Sequence, residues 1–117
     1  MSTNSIGFAP ATAEQAVPIS TQAPAFAAGL ALAEMFGHLP SGYITVHNSG
    51  TARLGLQLEN AAAFEAWRSA LLIPSEDVEL KHWDGSAWLS ADGLFQGVKV
   101  HLTSFGVEVP AAEAVAA

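Results

Sequence analysis

The chain has no cysteine. That excludes disulfides, thiolate metal sites and cysteine nucleophiles together, and it is compatible with a reducing compartment. Cations are scarce as well: four Lys and Arg stand against 11 Asp and Glu, a formal charge of −7. Such a surplus repels a phosphate backbone at long range and disfavours non-specific nucleic-acid binding. The acids are scattered, with Glu76 and Asp77 the one adjacent pair, so no dense carboxylate tract imitates a nucleic acid. Long hydrophobic runs are missing too. The longest, from Ala23 to Phe36, is broken by Gly29 and Glu34 and falls short of the roughly 20 apolar residues that cross a bilayer. The first 22 residues carry no Lys or Arg, so the positive start of a secretory signal is absent and a cytoplasmic address is expected.

What is present is apolar. Half of the 117 residues are hydrophobic and only 13% are charged, the profile of a chain that folds around one core. Residues 1–22 mix Ser, Thr, Ala and Pro without period, and residues 110–117 form an alanine-rich end after Pro110. Both are expected to be mobile tails around a single domain over residues 23–109. That domain is expected to be α+β and two-layered. Its antiparallel or mixed sheet would have about five strands, a hairpin over 43–59 and a meander over 78–102, with two helices over about 24–37 and 61–72.

In the first helix Phe26, Leu30 and Ala33 share one face while Leu32, Met35 and Leu39 lie opposite, so both sides are apolar. The hairpin joins Tyr43–His47 to Arg53–Glu59. A three-residue loop of Asn48, Ser49 and Gly50 would match Ile44 to Leu54 and Val46 to Ala52, keeping the aliphatic positions on one face. Asn60 caps the second helix, whose buried stripe is Phe64, Trp67 and Leu71, and Pro74 closes it.

In the meander, Asp84-Gly85 and Asp92-Gly93 read as two-residue turns. Counting register from both places Val78, Leu80, Ala87, Leu89, Ala91, Leu94, Val98, Val100 and Leu102 on one face. The other face then collects Lys81, Trp83, Trp88, Phe95, Lys99 and His101, with Trp88 flanked by Lys81 and Gly97. Exposed aromatics on a small domain mark partner sites, unless the first helix, the tail or a further strand over 105–109 covers them. A helix with two apolar sides must also be sandwiched, bound or paired with its own copy. The expected partner-binding residues are therefore Trp83, Trp88, Phe95, Lys81, Lys99 and His101 on the sheet, with Leu32 and Met35 on the helix.

No reactive constellation competes with this. The four histidines lie far apart in sequence, in no zinc-type spacing, so neither a metal nor a cofactor is expected. Asp84 and Asp92 are accounted for by turn chemistry, and no acid/base pair stands out. The leading expectation is a non-enzymatic interaction module, a small accessory or regulatory protein binding a protein partner or itself, possible as a homodimer. An alternative is a small-ligand binder or enzyme with a site near Tyr43, His47, His82 and His101. A third is single-stranded nucleic-acid binding by stacking on Trp83, Trp88 and Phe95 beside Lys81 and Lys99, which the net charge disfavours.

The stretches GYITVHNSGTARLGLQLENAAAFEAWRSALLI and HWDGSAWLSADGLFQGVKVHLTSFG resemble small uncharacterised actinobacterial proteins of the phage or mobile-element accessory type, over about 39–106. The alanine excess, the scarcity of lysine and AAFEAWRSAL before a strand carry the resemblance. It implies a source and an accessory role, and it supplies no catalytic or cofactor-binding residue.

Overall fold

A computed structural model describes residues 17–107, so residues 1–16 and 110–117 of the expected tails lie outside the described residues, as do residues 108–109 at the end of the strand expected over 105–109. Residues 17–22 are not featureless: Ile19–Gln22 make a 3-10 turn. The Gln22 amide donates to the carbonyls of Val46 and His47 at 3.1 and 3.3 Å.

The elements run α1 (Ala23–Met35), β1 (Tyr43–Val46), β2 (Arg53–Leu58), α2 (Ala61–Ala70), β3 (Glu79–Trp83), β4 (Ser86–Phe95) and β5 (Val98–Phe105). The strands form one mixed sheet in the order β1-β2-β5-β4-β3, antiparallel except where β2 lies parallel to β5. The fold is α+β, as composition and patterning imply. Both helices pack on the same sheet face. Ala25, Ala28 and Leu32 of α1 and Ala63, Phe64 and Trp67 of α2 share one core with Leu54, Leu56, Leu58, Ala91, Val98, Val100 and Leu102.

The local reasons follow the sequence closely at α2. The Asn60 side chain accepts from the Ala63 amide at 2.8 Å, satisfying one of the free donors of the first turn. At the other end Ile73 N–H bonds the Arg68 carbonyl and Leu72 N–H bonds that of Ser69, the double closure of a Schellman cap. Leu72 takes the left-handed position at φ 58°.

Two registers differ from the sequence expectation. In the first hairpin Ile44 pairs with Leu56 and Val46 with Leu54, and His47 N–H bonds the Arg53 carbonyl. The loop is therefore Asn48 to Ala52, longer than the three residues expected, with Gly50 at φ 87° as anticipated. In the meander the Asp84-Gly85 turn holds, both residues at positive φ and Trp83 pairing with Ser86. The second turn does not lie at Asp92-Gly93. It lies at Gln96-Gly97, φ 51° and 78°, and Phe95 pairs with Val98.

The reason sits outside the meander. Gly93 is an interior strand residue over which Ile73 packs: a Cβ there would stand 2.9 Å from two Ile73 side-chain carbons. A turn at Gly93 would lose that contact and halve the β4–β5 ladder. Because the turn moves by an even number of residues, every other inward assignment on β4 and β5 survives. Leu94 and Phe95 exchange places: Phe95 is 9% exposed, in the core, and Leu94 is 72% exposed.

Candidate functional site

The sheet face opposite the helices is built from the outward residues of five strands. Register sets its rows: Thr45, Gly55, His101 and Asp92 lie side by side, and so do Tyr43, Gln57, Thr103, Ser90 and Glu79. A further row is Phe105, Trp88 and Lys81. Among the described residues no helix lies across it.

At one end the Trp88 and Phe105 rings lie 5.7 Å apart with 30° between their planes, an offset contact within the favourable range for aromatic pairs. Trp83, at the hairpin tip, is 76% exposed. Lys81 pairs with Trp88 as expected, but the neighbour on the other side is Phe105, not Gly97. The glycine that does receive a ring is Gly55, on whose outer side His47 Nε2 lies 3.2 Å from where a Cβ would stand.

The opposite end is polar. Arg53 pairs with Lys99, and Leu94 flanks Lys99 on the other side. Asp92 Oδ1 lies 2.8 Å from His101 Nδ1, so Asp92 serves a cross-strand contact and not a turn. Of the four Lys and Arg in the chain, Arg53, Lys81 and Lys99 are on this face, and neither Lys81 nor Lys99 has a carboxylate within salt-bridge reach among the described residues.

Of the residues singled out from sequence, Trp83, Trp88, Lys81, Lys99 and His101 share this face. Phe95 does not: it points into the core and meets Phe36 with ring centroids 6.0 Å apart. Leu32 is likewise a core residue, 2% exposed, because α1 lays its Ala25, Ala28 and Leu32 side on the sheet. Leu39 packs against the same core. What α1 leaves to solvent is Phe26 and Leu30, one turn apart, and Met35 near its end. Sequence reasoning missed Leu94 and Phe105. Phe105 could have been found by continuing the alternation Lys99, His101, Thr103 by one step.

The alternative site is not assembled. His47 and His101 flank Gly55, with Tyr43 further along β1, but His82 pairs with Ala87 on the core side of the sheet. No group of three His, Asp or Glu that could hold a metal occurs among the described residues.

No family model, no curated protein and no solved structure matches this chain.

Proposed function

We propose that the protein is a non-enzymatic interaction module, a small accessory protein of actinobacterial phage or mobile-element type, that binds a protein partner through the open sheet face. The observation that carries this is the aromatic end of that face: Trp83 and Phe105 are large apolar side chains left exposed there, beside Trp88 and Lys81, while Leu94 is exposed beside Lys99 and Arg53 at the other end. Apolar anchors with a charged surround are the composition of a protein-binding patch. The partner that complements it presents apolar side chains toward the Trp88–Phe105 end and carboxylates toward Arg53 and Lys99.

The test is affinity capture from native host extract, followed by amide-exchange footprinting of the captured complex. Protection should map to β3, β4 and the end of β5. Trp83→Ala with Trp88→Ala should abolish capture while the far-ultraviolet spectrum is kept. Capture that survives the double substitution, or protection confined to the helices, refutes the reading.

The exposed Phe26 and Leu30 on α1 favour a second, subsidiary contact through the helix, with a copy of the chain as its occupant. A molecular mass that stays monomeric at high concentration would dispose of it.

A further inference from the structure

On the helix side of the sheet, a cleft of about 210 Å³ opens where the end of α1, the segment from Gly37 to Gly42 and the β1–β2 hairpin meet α2. We propose that this cleft binds a neutral, apolar small molecule of one ring or two fused rings. It lies on the opposite side of the sheet from the aromatic face and does not depend on it.

Three observations carry the assignment. The walls are apolar: Leu32, Phe36, Ile44, Leu54, Leu56 and Trp67 supply most of them, and among the described residues no charged one contributes. Among the described lining residues Ser41 brings the one free polar side chain, since the Trp67 indole N–H is already donated to the Pro40 carbonyl at 2.8 Å. A carboxylate or ammonium entering here would lose its hydration with nothing in exchange, whereas an uncharged ring would not.

The walls are also held in place before any ligand arrives. Trp67 is fixed by the Pro40 bond and by an edge-to-face contact with Phe36, 5.9 Å between centroids at 71°. The rim is pinned where Gly42 lies against β2: a Cβ there would stand 2.6 Å from the Gln57 carbonyl oxygen. Only glycine lets the segment sit this close, so the opening between it and α1 is a built feature of the chain. A preformed site binds without the cost of ordering its walls.

Size decides the ligand class. An apolar cavity of about 150 Å³ takes benzene and stays free of water; the larger cleft here accommodates a substituted or fused ring. Long acyl chains exceed it.

The experiment is a titration of isotope-labelled full-length protein with toluene, indole and benzoate, followed at the Trp67 indole N–H resonance and at backbone amides. Toluene and indole should shift Trp67, Leu54 and Leu56 saturably, with dissociation constants of about 0.1–1 mM, what seven to nine heavy atoms reach at modest efficiency. Benzoate should bind at least about tenfold more weakly, because its charge finds no partner. Ala33→Phe, at an exposed helical position on the cleft's edge, should close the mouth and cut toluene affinity at least about tenfold by filling the space. Ala27→Phe, exposed on the same helix but away from the cleft, should leave affinity unchanged and shows that the helix tolerates the ring. The proposal is overturned by shifts that stay linear to the solubility limit, by benzoate matching toluene, or by Ala33→Phe binding as the parent does. It is also overturned if the Trp67 resonance moves on simple dilution of the protein, which would mean that a second copy fills the cleft.

Discussion

Leu72 stands in the left-handed region with 87% of its surface exposed. A branched side chain there costs of the order of 1 kcal/mol that glycine avoids. Leu72→Gly should therefore stabilise the protein by about 1 kcal/mol and raise Tm by roughly 4–8 °C, the usual conversion for a domain near this size. A calorimetric scan showing no gain would mean that Leu72 makes a compensating contact. Nothing in the sequence marks Leu72: the terminator there is Pro74, and a leucine after Leu71 reads as a continuation of the stripe. Gly93 was illegible for a similar reason. Its neighbour Asp92 gives it the signature of a turn, while its true requirement, room for Ile73, comes from a residue far away along the chain.

At the scale of elements, the position of the second meander turn is decided by Leu94 and Phe95. Both are apolar and adjacent, so alternation cannot say which faces inward; only the Ile73 contact and the long β4–β5 ladder do. Phe95→Ala should cost about 3–5 kcal/mol by emptying core volume, whereas Leu94→Ala should stay within about 0.5 kcal/mol. Equal costs in urea unfolding would contradict the register. The first turn was readable because Asp84-Gly85 competes with no alternative. For α1, the many alanines and leucines gave two apolar sides and no way to choose. The choice follows from packing, since small residues at 25 and 28 let the helix approach the sheet closely.

The α2 terminus gives a pH-dependent test. Arg68 bonds both Glu65, at 2.6 Å, and the Ile73 carbonyl. That hydrogen bond, with the guanidinium charge adding to it, holds the Glu65 carboxyl below its ordinary value of 4.5. A depressed carboxyl contributes stability above its unfolded pKa, and that contribution is lost as pH falls through the lower folded value. Glu65→Gln should thus be less stable than the parent at neutral pH, and the gap should close on acidification. A gap independent of pH in denaturant midpoints would refute the linkage. Glu65 is exposed, so the gap is small.

For the whole molecule, charge and shape separate. A chain of net −7 keeps three of its four cations on one sheet face, so association with a carboxylate-bearing partner should depend on ionic strength. Raising salt from about 0.05 to about 0.5 M should weaken capture severalfold, as screening shortens the reach of exposed charges. Insensitivity to salt would assign the contact to the aromatics alone. The two-faced character of the sheet was legible from Val78 to Leu102, because alternation and one secure turn suffice. The joining of hairpin to meander was not: parallel pairing of β2 with β5 links segments that have α2, β3 and β4 between them and leaves no local trace.

That seam sets an order of events in folding. Each hairpin can close on itself from neighbouring residues, but Arg53 meets Lys99 only after α2, β3 and β4 have been spanned. Loop closure of that length is slow relative to hairpin formation, so the rate of folding is set at the centre of the sheet and not at its rims. A nascent chain halted before β5 would hold Leu54, Leu56 and Leu58 on an unpaired strand edge, the condition in which chains aggregate. Among the described residues β5 is the last strand to leave the ribosome, and it is the one that makes the rest safe.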